Sequence, residues 1–317
     1  MSQPTNTFDS YDAKGNREDL QDKIYMVSPE KTPVVSAIGR YTAKNTLHEW
    51  QRDSLASPNK DNAVIEGDDR TGTSLTATER VGNYTQLFDA VAVVTSTQEK
   101  INKAGRSSEM RYQISKKMTE LKRDLEAAIT SNNAAVAGNS STARKMGALL
   151  SWITTNSSVG TSGADPTTIG VSTRTDGTAR SFTETILKDV IQQVYSSGGN
   201  PKVLMVGAYQ KQAVSAFAGI AAQRYMAPGN EPTTIIGAAD VYMSDFGTVS
   251  VVPNRFMRTR DALVLDPEYA ALAYLRPFAT NELAKTGDSE KTQILAELTL
   301  EVRNEAAHGI AADLAVA

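Results

Sequence analysis

The side chains that could do chemistry in this chain lie in a few short stretches. "IEGDD" sets Glu66, Asp68 and Asp69 close together, with Arg70 next. Hard oxygen donors at that density suit a divalent cation, and a metal-dependent hydrolase with a carboxylate-only site is the enzyme they would imply. The spacing of a calcium-binding loop is absent, so a solvated or partner-facing loop is the plainer reading. "HEWQR" holds His48 and Glu49 but no second histidine at zinc-protease spacing. "GDSEKT", Gly287 to Thr292, looks like the end of a phosphate-binding loop. It lacks the glycine before the lysine and no helical pattern follows, which makes it a turn before a strand. His308, in "NEAAHGI", is a lone imidazole of the surface or packing kind. "NRFMRTRD" gathers Arg255, Arg258 and Arg260. They form either a charged turn or a subunit contact paired with carboxylates, since arginine favours interfaces. Trp50 is better suited to a packing anchor than to a ligand platform.

The totals narrow the choice further. The chain has 317 residues, 40% of them hydrophobic, so a sizeable core can be buried. There is no cysteine, which excludes disulfides, thiolate chemistry and cysteine zinc sites. With only two histidines, imidazole catalysis and histidine-rich metal sites are improbable. The net charge is -3 and no lysine/arginine block stands out, which argues against tight nucleic-acid binding by counterion release. The first residues, polar and acidic, are not a signal peptide. No apolar run approaches the ~20 residues that span a bilayer. A soluble chain made in a cytoplasm, with no cofactor, is the expectation.

What must position these side chains is a set of elements with clear periods. Asn16 can cap a short helix with Leu20, Ile24 and Val27 on one face. Thr32, Pro33 and Gly39 bracket another short helical segment. Residues 46–100 are strand-like: "TLHEWQRDSL" leads out and "QLFDAVAVVTSTQ" leads back, around a polar tip rich in turn formers. A long helix is predicted over about 107–132, capped by Ser107 or Ser108. Met110, Ile114, Met118, Leu121, Leu125 and Ala128 form its apolar stripe, while Lys116, Lys117, Glu120, Lys122, Arg123, Asp124 and Glu126 fill the other faces. Ile294, Ala296, Leu298, Leu300 and Val302 alternate with polar residues in a long strand whose buried face matches that stripe in length. Residues 138–181 form a Ser/Thr/Gly-rich loop with one apolar insert, "MGALLSWI", that should dock on the core. Residues 181–275 alternate helix and strand, including "PKVLMVG", "TTIIGAADVYM", "GTVSVVP", "ALVLD" and "AALAYL", and predict an α/β unit with a mixed sheet that interrupts the helix-plus-strand unit.

This order of parts resembles the major capsid proteins of tailed bacteriophages, the Hong Kong 97 type. "SPEKTPVVSAIGR", "HEWQRDSL", "IEGDD", "RVGNYTQLF", "AGRSSEMRYQISKKMTELKRDLEAAI" and "RKMGALLSWI" carry the resemblance, densely in the first half of the chain and by organisation in the second. It implies an α+β fold with an N-terminal arm (1–45), an extended β-hairpin loop (46–100) and a peripheral domain in two parts (101–180 and 276–317). A long spine helix belongs to the peripheral domain, and an axial α/β domain (181–275) is inserted between its parts. It implies a non-enzymatic structural protein that joins copies of itself, as pentamers and hexamers, into a head shell around double-stranded DNA. That DNA would be contacted weakly and without sequence specificity. Scaffold, portal and decoration proteins are implied as further partners, the virion as location and the host cytoplasm as the place of assembly. On this reading Trp50, Glu66, Asp68, Asp69, Arg70, Arg255, Arg258 and Arg260 are the candidate intersubunit contacts. The alternatives are a nanocompartment shell of the same fold, a tail or neck structural protein, and the carboxylate-site enzyme described above.

Overall fold

The structure is a computed structural model that describes residues 24, 26, 28, 30–69, 72, 75–217 and 240–316. The expected helix after Asn16 and the side chain of Arg70 lie outside the described residues. In chain order the elements are α1 (Pro33–Ala37), β1 (Gly39–Thr42), β2 (Leu47–Arg52), β3 (Glu79–Tyr84), β4 (Gln86–Thr95), α2 (Ser96–Lys100), α3 (Glu109–Thr130) and α4 (Leu149–Trp152). They continue with β5 (Ser157–Ser158), α5 (Glu184–Ser196), β6 (Val203–Val206), α6 (Ala208–Ser215), β7 (Val241–Ser244), β8 (Gly247–Pro253), β9 (Ala262–Leu265), β10 (Ala270–Leu283), β11 (Ser289–Val302) and β12 (Gly309–Ala311). The strands form a four-stranded sheet ordered β1-β10-β11-β4, a six-stranded sheet ordered β5-β12-β9-β6-β8-β7, and the pair β2-β3.

The long helix is where its period places it. Ser108 is the N-cap and accepts from the Arg111 backbone N–H. Leu121, Leu125 and Ile129 are buried with Phe88 of β4 and with Ile294, Ala296, Leu298 and Leu300 of β11. Met110 packs with Ala92 and Val94 at the other end. The helix therefore lies along one face of the four-stranded sheet, and the alternating residues of β11 supply that face.

Four expectations need correction. First, β2 does not pair with "QLFDAVAVVT". That segment is β4, antiparallel to β11 with Ala296 opposite Phe88. The partner of β2 is β3, with Trp50 opposite Val81. The alternation of Phe88, Ala92 and Val94 demands a core, which a protruding hairpin cannot provide. Gly82 lets β2 and β3 approach closely: a Cβ there would sit 2.7 Å from Glu49 Cγ and 2.9 Å from the His48 carbonyl. Second, the polar side of β11 is also buried over its second half, at Glu297, Thr299 and Glu301. Thr85 donates to Glu297 at 2.8 Å, His48 meets Glu301 at 3.0 Å, and Asn83 donates to the Leu300 carbonyl at 2.8 Å. The base of the hairpin sits on that face. Third, "AALAYL" begins β10 and belongs to the four-stranded sheet beside β1 and β11. β12, expected with the peripheral part, pairs with β9 and β5 in the six-stranded sheet. Fourth, Glu126, expected on a solvent face, is fully buried.

The Ser/Thr/Gly-rich stretch is irregular but pinned. Its insert docks as expected, with Met146, Leu149, Leu150, Trp152 and Ile153 all buried. Asp313, in the left-handed region at φ 59, accepts from the Gly160 N–H at 2.9 Å and the Gly177 N–H at 2.7 Å. Helix α5 buries Leu187, Val190, Ile191 and Val194 against the six-stranded sheet.

Candidate intersubunit interface

The strands β2 and β3 carry a long excursion, and its residues 53–69 are exposed. Glu66, Asp68 and Asp69 lie on it. Among the described residues no group of three or more His, Asp or Glu is placed to hold a metal ion. The same excursion also exposes large apolar side chains: Leu55 is 99% exposed, Ile65 81% and Leu75 97%. Sequence reasoning took this tip as polar, although these side chains were visible in it. Single exposed leucines are ordinary on a protein surface, but three large apolar side chains exposed along one segment with no core of its own point to a partner.

A second apolar surface lies on the body. Along β4 the residues facing α3 are buried, while Leu87, Val91 and Val93, on the opposite face, are exposed. Register puts Leu295 of β11 opposite Asp89 of β4, and Leu283 of β10 opposite Lys291. One face of the four-stranded sheet is thus covered by helix; the other is covered by the hairpin base over the second half of β11 and is open and partly apolar along β4.

Of the remaining candidates, Trp50, Arg258 and Arg260 are engaged within the chain. Trp50 packs on Trp152 with ring centroids 5.3 Å apart, anchoring the hairpin base to the core. Arg258 bonds Asp176 at 2.5 Å and lies 3.2 Å from Asp261. Arg260 bonds Asp313 at 2.9 Å and the Gly177 carbonyl at 2.6 Å. The hydrogen bond from Arg258, outweighing burial, holds the Asp176 carboxyl below its ordinary range. Burial raises Asp261 to about 6 despite Arg258. Arg255 is exposed. His308 is fully buried, its Nδ1 3.3 Å from the Asp266 N–H that donates to it, and burial lowers it to about 4; it packs as a neutral ring. Gly287 to Thr292 is a turn running into β11, with Lys285 paired to Glu290 at 2.9 Å.

One contact was not legible in the sequence. The buried Glu126 carboxylate accepts from the Val34 N–H at 2.8 Å, the Val35 N–H at 2.9 Å and Asn254 Nδ2 at 2.6 Å. It occupies the N-terminus of α1, where Thr32 makes no side-chain cap. Burial, opposed by those donors, leaves its pKa raised.

A cleft of about 980 Å³ runs between the hairpin base and the body, lined in part by Arg52, Glu79, Tyr269, Arg303 and Glu305. Arg303 is committed to Glu301 at 2.8 Å and to the face of Tyr41, and Arg52 to Glu79 at 2.8 Å. Glu305 accepts from the Thr154 and Thr155 backbone N–H groups at 3.2 and 3.3 Å, so these charged groups are engaged within the chain.

The model of one protein family, the SU10 major capsid protein, matches residues 3–315. The chain belongs to the SU10 major capsid protein family. The major capsid protein of Escherichia phage Phieco32 is 28% identical to it over 345 aligned residues, covering 98% of this chain and 97% of that one. Among solved structures it resembles a Gordonia phage Cozz chain with a TM-score of 0.60 at 11% identity, over 99% of this chain and 98% of that chain. It resembles the capsid of a native GTA particle with a TM-score of 0.63 at 11% identity, over 96% and 98% of the two chains. The encapsulin SrpI of Synechococcus elongatus gives a TM-score of 0.53 at 10% identity, over 95% and 93%. At such identities these neighbours show the fold, which is the Hong Kong 97 capsid fold. Like other members of its family, this SU10 major capsid protein is a structural protein of the virion, and it associates with itself to form the head shell of a tailed phage. The nanocompartment alternative shares the fold alone.

Proposed function

We propose that this major capsid protein closes its shell by laying the hairpin tip of each copy on the open face of a neighbour's four-stranded sheet. The observation that carries this reading is that a single chain exposes both halves of such a contact: Leu55, Ile65 and Leu75 on the tip, and Leu87, Val91 and Val93 on the sheet. A strap without a core buries apolar area only by lying on another surface. Glu66, Asp68, Asp69 and Arg70 would fix its register at the rim, where charged groups select partners more than they add affinity.

The other parts take roles within that frame. Residues 1–45 serve as an arm, and residues 46–84 as the extended loop, since β4 is part of the sheet. The six-stranded unit meets its copies around the centres of pentamers and hexamers. Arg255 is available for such contacts, whereas Arg258 and Arg260 brace the chain internally. The shell encloses double-stranded DNA, assembles in the host cytoplasm with scaffold, portal and decoration proteins as partners, and performs no catalysis and needs no cofactor.

Deleting residues 60–72 tests the strap. The deletion should leave cooperative melting unchanged and abolish closed shells in negative-stain electron microscopy. Normal shells from the deleted chain would remove the strap from the proposal.

A further inference from the structure

Helix α3 is electrically one-sided. At about 100° per residue, Arg111, Lys122, Arg123 and Lys116 fall within one arc of about 140°; the arc is buried only in the last turn, at Glu126, Ile129 and Thr130. Arg111, Lys116 and Lys122 are exposed, and no acid holds any of them among the described residues. The arc contains a single acid, Glu126, and it is buried under α1. Glu120 and Asp124 lie on the other flank, and Glu120 is paired with Lys117 at 2.7 Å. Glu109 is buried and paired with Arg106. A helix face exposed only to solvent gains from mixed charges at i, i+4, yet here the cations are left without partners. Exposed Arg255 extends the arc: its neighbour Phe256 carries the Arg123 guanidinium 5.5 Å from its ring centroid, and the Phe256 carbonyl accepts from Thr130 at the end of the helix. All this occurs in a chain of net charge -3.

We propose that this arc of α3 is the surface that lies against the packaged duplex, touching its phosphates and reading no bases. The inference rests on the reading that the shell encloses double-stranded DNA. It also gives the subunit a polarity, because the strap face of the sheet is on the side opposite the helix. From Arg111 to Arg123 the helix spans about 18 Å, over which a duplex presents roughly ten phosphates. Four or five cations against that many phosphates give weak contact per subunit, strongly dependent on salt. Repeated over a shell they would hold the outer DNA layer in place while leaving it free to slide.

The test is fluorescence anisotropy of the purified chain with a 30-base-pair duplex, across a range of salt concentrations. The wild type is compared with R111E/K116E/K122E and with a control of equal charge change outside α3, K44E/K60E/K145E. All six side chains are exposed, so both variants should melt like the wild type. The expected result is weak binding that falls with salt, reduced at least tenfold by the helix variant and less than threefold by the control. The inference is overturned by absence of binding at low salt, or by equal losses in both variants, which would mark a net-charge effect. It is also overturned if the helix variant binds DNA normally but fails to assemble, which would assign the arc to an acidic protein partner. Shells formed by the wild type without DNA binding would sink this inference and leave the capsid reading intact.

Discussion

Val34 donates its backbone N–H to Glu126 Oε1 at 2.8 Å, across 92 positions of sequence. With the Val35 N–H and the Asn254 amide on the same carboxylate, one side chain of the spine helix fastens the segment before β1 to the turn after β8.

Replacing that carboxylate should loosen this junction. Glu126→Gln keeps one acceptor oxygen but turns an NH2 group towards donors, leaving buried N–H groups unsatisfied at a cost of about 1–3 kcal/mol. Urea unfolding should show this loss, and hydrogen exchange should show faster exchange at Val34 and Val35 than elsewhere. Unchanged protection of those two amides would mean that the carboxylate is not what holds them.

The spine itself is tested by Leu121→Asp. Leu121 is buried between the helix and the sheet. An unpaired carboxylate there should cost more than about 4 kcal/mol and prevent folding. A soluble mutant with a cooperative melt would contradict the packing of α3 on β4 and β11.

Asp261 gives a pH signature. Neither of its oxygens is hydrogen-bonded, and burial raises it to about 6. Its unfolded value is about 3.9, so the folded chain binds this proton more tightly. The stability it contributes is complete below about pH 4 and is lost as pH rises through about 6. Asp261→Asn should flatten that part of the stability profile by on the order of 2–3 kcal/mol. Urea midpoints measured from pH 3.5 to 7 would show it; a slope identical to that of the wild type would place the titration elsewhere.

Gly82→Ala probes the hairpin base. The added methyl meets the His48 carbonyl, which is backbone and cannot swing aside. The expected cost is about 1–3 kcal/mol, with the strands β2 and β3 fraying before the body unfolds. Simultaneous loss of all protection would show instead that hairpin and body unfold as a unit.

Period made α3 and the core face of β11 legible, because a buried stripe needs apolar residues at fixed spacing whatever its partner. It did not say which strand lies beside which. β4 alternated as convincingly as a hairpin strand would, and only the need to bury Phe88 and Val94 placed it next to β11. The polar face of β11 was misread for a related reason. Glu297 and Glu301 look like solvent residues, yet each is satisfied in part by groups far away in sequence: Thr85 and Arg144 for one, His48 for the other, with Arg276 and the nearby Arg303 completing the sets. Glu126 was missed because its donors are backbone amides, which no residue letter advertises. In the candidate interface the acids of "IEGDD" drew attention, while Leu55, Ile65 and Leu75, exposed along the same excursion, carried the stronger signal.

The placement of β11 and β12 has a consequence for how the subunit is made. Both are interior strands, β11 between β10 and β4, and β12 between β5 and β9. Each is made after both of its neighbours, so neither sheet can close until β11 and β12 have left the ribosome, and the non-local pairing of β11 with β4 makes closure slow. A chain cut short by premature termination would keep two gapped sheets with bare edges, material for proteolysis instead of assembly. Every copy that reaches the shell would then have passed an inspection imposed by topology alone.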